Sequence, residues 1–277
     1  MAFKILPDRF YRMPVGFGPS LGPRQRGSKH TLYSKEGPTA TNIAVYFRAN
    51  KKRLEALLPE GFILAPEPVA AVRATYLKEI PWLAGRGYNH LGLTIPAVFE
   101  GKKDRVTGEF LTVLWENLCD PIITGREDLG YPKIYCELPE PVAYGGKMHC
   151  TASWLGFKFM DLCVSGMREA TAGETGKFST PGSRGTLCYK YMPRTEEWGK
   201  ADARYVTLTP FEDPYKRVTE LWTADGSFKF HKAAWEDLPT LYNIVNAFNS
   251  LKVTEWLGAT IIRTVGAKDY SDQHILE

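Results

Sequence analysis

Apolar and polar positions alternate with a period of two over much of the chain. Residues 41–47 (TNIAVYF), 69–77, 110–115, 146–154 (GKMHCTASW), 157–164, 187–192, 205–208, 217–223, 226–232 and 254–265 read this way. Successive side chains on a strand face opposite sides, so the pattern predicts strands. Residues 146–154 and 157–164 predict a pair meeting near Leu155-Gly156. Helical spacing shows in residues 50–58 (NKKRLEALL), where Leu54, Leu57 and Leu58 share a face behind an Asn50 cap and Pro59-Glu60-Gly61 ends the run. About a dozen short strands against one or two helices predict a mainly β (α+β) fold, an antiparallel barrel-centred domain rather than a parallel α/β sheet. Residues 171–185 (TAGETGKFSTPGSRG) predict a polar, mobile loop. Residues 1–38, rich in Pro, Gly and basic side chains, predict a loop or arm held by Phe10, Tyr11 and Phe17.

Length and composition narrow the classes. A chain of 277 residues can bury a sizeable core and is read as one domain, 1–277. The formal charge of +4 is spread out, and its densest run, Lys51-Lys52-Arg53, opens the predicted helix as a solvated face, so nucleic acid gains no support as a partner. Cysteines 119, 136, 150, 163 and 188 are odd in number and lack a C-x-x-C pair, which predicts free thiols and no structural zinc. Histidines 30, 90, 149, 231 and 274 show no ligand spacing, so no metal site is expected. No G-x-S-x-G elbow occurs, and residues 16–22 (GFGPSLG) lack the strand–turn–helix setting of a phosphate loop. No signal-peptide core and no run near the ~20 apolar residues of a membrane span is present, giving the expectation of a soluble, cytoplasmic protein.

The chemistry concentrates in residues 115–140, WENLCDPIITGREDLGYPKIYCELPE. Pro121-Ile122-Ile123 reads as a strand end, Gly125-Arg126-Glu127-Asp128 as a charged turn, and residues 133–138 as an extended segment. Pro132 biases Tyr131 toward extended geometry, so Lys133 enters a strand, with Tyr135 and Glu137 on its face and Ile134, Cys136 and Leu138 opposite. An amine withdrawn from water is a better nucleophile than a solvated ammonium. Arg126 and Glu127 are expected as a paired clamp for the turn. Glu116 either joins that clamp or faces a pocket.

The run Gly-Arg-Glu, three residues, Tyr-Pro-Lys resembles the signature of the acetoacetate decarboxylase family, whose lysine forms a Schiff base with a keto acid. The mechanism is the family's own, and by position its nucleophile falls on Lys133. The family's second, adjacent lysine is replaced by Ile134. Residues 88–96 (YNHLGLTIP) are similar to a family segment of form Tyr-x-Glu-x-Gly-x-x-Ile-Pro, so Tyr88 is expected near substrate and His90 stands where the family has a glutamate. An imidazole there can move a proton near neutral pH. Residues 222–239, ending Asp237-Leu238-Pro239, are similar to a late family segment. Arg24, in Gly22-Pro23-Arg24-Gln25, is the nearest match to an N-terminal family arginine in the cavity, with Arg26 two residues on, and its fork suits a carboxylate.

The resemblance implies a β-barrel cone wrapped by antiparallel strands, with the arm 1–38 contributing to the site. It implies a homo-oligomer that needs no cofactor beyond the covalent imine on lysine. It implies a carbon–carbon lyase acting on a small β-keto or α-keto acid, most directly by decarboxylation. Aldolase–dehydratase chemistry on pyruvate-type substrates and a catalytically silent small-ligand barrel are the alternatives.

Overall fold

A computed structural model describes residues 3–7, 9–24 and 37–277. Fourteen strands dominate the described residues: β1 (Thr39–Ala49), β2 (Phe62–Leu64), β3 (Ala70–Lys78), β4 (Tyr88–Glu100), β5 (Arg105–Glu116), β6 (Lys133–Tyr135), β7 (Val142–Tyr144), β8 (Lys147–Trp154), β9 (Phe157–Glu169), β10 (Gly185–Pro193), β11 (Ala201–Pro210), β12 (Arg217–Phe230), β13 (Val253–Val265) and β14 (His274–Leu276). Four short α-helices accompany them: α1 (Lys51–Glu55), α2 (Cys119–Thr124), α3 (Ala172–Thr175) and α4 (Tyr242–Asn249). All strands belong to one sheet in the order β14-β11-β10-β5-β4-β3-β1-β13-β12-β9-β8-β7, with β2 added to β4 and β6 to β5. Neighbours pair antiparallel except β10–β5 and β5–β6. The sheet is therefore mixed, and its hydrogen-bonded order has two ends rather than closing on itself.

The period of two separates two faces of the central strands. Ile43, Val45 and Phe47 of β1, Val72, Ala74 and Tyr76 of β3, Leu91, Leu93 and Ile95 of β4, and Val113 and Trp115 of β5 enter the main core. Trp115 is fully buried against Phe159, Phe230 and Phe248. Truncating such a ring to alanine typically costs about 3–5 kcal/mol, so the β5 backbone beside it is firmly held. The alternate residues, including Asn42, Arg73, Thr75, His90, Gly92 and Thr94, line a cavity.

One irregularity decides what reaches that cavity from β5. The register shifts between Leu93 and Thr94, which pair with Val113 and Leu111, leaving Thr112 as the extra residue of a β-bulge. Its hydroxyl donates to Leu93 O at 2.8 Å. A bulge switches the parity of a strand. Hence Glu109 and Leu111 before it, and Leu114 and Glu116 after it, all line the cavity.

Two local expectations are corrected. Residues 119–129 form α2 and a π-helical turn, Gly125–Leu129, not a strand end and an open charged turn. Pro121 is tolerated there because the first helical turn needs no N–H from it, and Gly130 ends the turn at φ 74°. Residues 171–185 are docked rather than a free excursion: α3 carries a Thr171/Glu174 capping box, Phe178 stacks on Tyr46 at 4.1 Å, and Thr180 bonds Glu109. On β6 and beyond, the expected faces hold: Ile134, Cys136 and Leu138 pack on the main core, while Lys133 and Tyr135 register with the cavity-side Leu114 and Glu116, Lys133 buried and Tyr135 exposed at the strand end. As expected, Asn50 caps α1 and β8 and β9 turn at Leu155-Gly156. Helix α4 was not anticipated; Val245 and Phe248 bury its inner face. Among the described residues no helix is long and apolar enough to cross a membrane, and all five cysteines are free.

Candidate active site

The cavity measures about 560 Å³, within the range of about 300–1,000 Å³ usual for small-molecule sites. At one end stands Lys133, 6% exposed. Its position follows from the parallel pairing of β6 with β5, which sets Lys133 beside Leu114 and Tyr135 beside Glu116. Arg126, on the π-turn, donates Nη1 to the carbonyl of Lys133 at 2.9 Å and so pins that backbone. Arg126 and Glu127 do not form the expected mutual clamp among the described residues; successive residues on a helical turn diverge, and Glu127 instead accepts from Lys190 Nζ through its carbonyl at 2.6 Å.

The Lys133 ammonium nitrogen lies 2.8 Å from Glu116 Oε1 and donates to Pro121 O at 3.0 Å. Glu116 is fully buried, and neither of its oxygens has a well-aligned hydrogen bond among the described residues. Burial raises its carboxyl above the ordinary value while Lys133 pulls it back. Tyr88 and Tyr131 each bring their ring centroid to 5.7 Å from the amine. Gly125 packs against this side chain: a Cβ on it would overlap Lys133 Cδ and Cε and sit 2.7 Å from Nζ. The π-turn thus passes directly under the lysine side chain, and a larger residue there displaces the stem.

His90 pairs with Glu116 across β4 and β5 and lines the same end. Burial, assisted by the charge of Lys133, lowers it to about 3. Its ring is therefore neutral across the physiological range, so it does not titrate near neutrality as expected from sequence. Its Nδ1 is buried without a hydrogen-bond partner among the described residues. A neutral imidazole so placed can hold a substrate hydroxyl or a water.

Arg24 does not join this group. The arm contributes Pro23 to the lining, whereas the Arg24 guanidinium donates to Gln273 Oε1, and Gln273 is itself fixed to Leu129 O and Thr209 Oγ1. Arg26 lies outside the described residues. Among the described residues, the guanidinium that lines the cavity is Arg73, and the second carboxylate is Glu109. Each is the one charge in the interior of its strand, AAVRATYLK and RVTGEFLTVLWE, whose other charges stand at the ends. Tyr131 and Tyr270 also line the cavity; burial pushes the Tyr270 hydroxyl up to about 12, which keeps it a neutral donor.

Fold and site together define a protein with a lysine amine enclosed in a cavity on the polar face of a large β-sheet. The family model described as acetoacetate decarboxylase matches residues 13–270, and the chain belongs to that family. Among solved structures it is similar to the acetoacetate decarboxylase of Legionella pneumophila subsp. pneumophila str. Philadelphia 1 (TM-score 0.66, 16% identity, 91% of this chain and 94% of that one). It is similar to an acetoacetate decarboxylase-like enzyme of Sphingomonas wittichii RW1 (0.63, 20%, 93% and 99%). It is also similar to the enduracididine biosynthesis enzyme MppR complexed with pyruvate (0.61, 16%, 91% and 93%). No curated protein matched the sequence.

Proposed function

We propose that the chain is a carbon–carbon lyase that captures a keto acid as an imine on Lys133, with decarboxylation of a β-keto acid as the first reading. The observation that carries this is the buried amine at the cavity wall, 2.8 Å from a fully buried carboxylate. Attack on a ketone requires the amine to shed a proton, and Glu116 Oε1 is positioned to take it; burial makes that carboxylate a stronger base than an exposed one. The carbinolamine hydroxyl then leaves as water, taking up the proton held by Glu116, and the nitrogen lone pair forms the C=N bond of the iminium. In a β-keto acid the bond to the carboxylate breaks, its electron pair moves into the iminium as an enamine, and carbon dioxide departs. A proton is returned to the enamine carbon, and water releases the ketone and restores the amine.

A second reading, aldol or dehydratase chemistry on a pyruvate-type substrate, is favoured by His90. A neutral ring with an unpartnered Nδ1 beside the amine suits a hydroxyl that must be held or expelled. One of the similar structures is MppR with the condensation product of pyruvate and imidazole 4-carboxaldehyde, which lends that reading support.

Borohydride reduction in the presence of acetoacetate or pyruvate, followed by peptide mass spectrometry, is expected to mark Lys133. Carbon dioxide release from acetoacetate then favours the first reading, and a condensation product from pyruvate and an aldehyde the second. A Lys133 left unmodified after saturation with several keto acids would leave the silent ligand-binding barrel.

A further inference from the structure

The imine chemistry accounts for one end of the cavity only. The other end is built around Arg73 and Glu109. Sheet register fixes their relation to the lysine: Arg73 pairs with Gly92, Gly92 with Leu114, and Leu114 with Lys133. Arg73 and Lys133 thus close the two ends of one row across four strands, three spacings of about 4.8 Å apart at the backbone. Between them Gly92 offers no side chain, and a Cβ there would press on Leu114 Cδ1 at 2.9 Å and Leu111 Cδ1 at 3.2 Å. The floor between the two cations is accordingly open and flanked by leucines.

Resting on the imine reading, we propose that the Arg73 end is a second recognition subsite that takes a carboxylate at the far end of an elongated keto acid. The substrate class is then a keto acid whose chain carries a distal anionic group, longer than pyruvate or acetoacetate. At the backbone the row is about 14 Å long, longer than either of those short acids.

The competing account is that Arg73 only neutralises Glu109. The contacts argue against it. Among the described residues the two form no ion pair. Glu109 instead accepts from Thr180 Oγ1 at 2.7 Å, and Arg73 gives Nη1 to Tyr46 Oη at 3.4 Å with its guanidinium carbon 5.3 Å from that ring centroid. A guanidinium has five N–H groups. Arg73 lines the cavity, and none of its nitrogens is among the buried polar atoms lacking a partner. A planar fork held by an aromatic ring at a cavity wall is the arrangement that grips a carboxylate with two bonds. Burial raises the Glu109 carboxyl while the charge of Arg73 and the Thr180 hydrogen bond pull it back, and an arriving anion favours the protonated form, which can donate to it.

The test uses methyl ketones bearing a terminal carboxylate on chains of increasing length, each matched by its primary amide. Half-saturation for borohydride trapping on Lys133 is read for the wild type and for Arg73→Gln, Arg73→Lys and Glu109→Gln, with pyruvate trapping as the check that each variant is folded. In the wild type the acids are expected to trap at concentrations about tenfold or more below their amides once the chain spans the row. Arg73→Gln should abolish that advantage while pyruvate still marks Lys133, Arg73→Lys should retain part of it, and Glu109→Gln should keep it. Acids and amides trapping alike at every length, or an advantage that survives Arg73→Gln, overturns the subsite alone. If neither series nor pyruvate marks Lys133, the imine reading itself has failed.

Discussion

The two glutamates of β5 make opposite use of the same surroundings. Glu116 is fully buried in ion-pair contact with Lys133 at 2.8 Å. Glu109, buried on the same strand, makes no ion pair with Arg73 among the described residues and is held by Thr180. Seven residues separate them in sequence, an odd interval that would send them to opposite faces of an unbroken strand. The bulge at Thr112 restores them to one face and so assembles a single cavity with two poles. The difference teaches that a closed pair can exchange a proton while an open pair leaves its cation for a ligand.

The contrast breaks most completely at the amine. Lys133→Met, which keeps much of the apolar stem, is expected to remove borohydride-dependent labelling and to lower turnover by about a thousandfold or more, with circular dichroism unchanged. Residual turnover near the wild-type level would place the chemistry elsewhere. Glu116→Gln ranks next. It preserves shape and removes the base, so kcat should fall by about a hundredfold to ten-thousandfold, and the acid limb of the rate profile should vanish. If kcat falls and the limb persists unchanged, Glu116 only positions the lysine. Gly125→Ala follows, because its methyl group displaces the lysine stem without touching any charge. A shift of about 1 Å at a reacting group can cost about a hundredfold, so slower trapping with near-normal stability is expected. Unchanged trapping would show that the stem has room to move.

Much of this pole was legible in the sequence, and less of the other. Lys133 stood out because a family motif and a proline bias agreed on it. His90 and Tyr88 were placed by the same resemblance. Glu116 stayed undecided because its orientation depends on a bulge four residues earlier, and a one-residue change of parity is a tertiary event that alternation alone does not report. Arg73 was passed over although it is the one charge in the interior of its strand, since a single cation on a polar face ordinarily meets solvent. Arg24 was preferred from a loop motif, yet the side chain turns to Gln273, a partner 249 positions away. The helix of residues 119–124 was hidden by Pro121, which reads as a breaker until its place in the first turn is known.

The smallest expected effect separates His90 from Glu116 by pH. In the unfolded chain an imidazole binds its proton near 6.5, whereas in the folded protein His90 does so only at about 3. Between those values the unfolded state holds more protons, so stability must decline as pH falls from about 6.5 toward 3. From pH 6.5 to 5 the loss is at most about 2 kcal/mol, an upper bound because the ring borders a water-accessible cavity. Glu116 works the other way: its folded carboxyl is raised, so protonation from the ordinary carboxylate value upward favours the folded state and offsets part of the slope. His90→Gln removes the first contribution and leaves the second. Its melting temperature should therefore fall less than that of the wild type between pH 7 and pH 5, while the acid limb of kcat stays where it was. A limb that moves with His90→Gln would make the imidazole, and not the carboxylate, the group that trades a proton with Lys133.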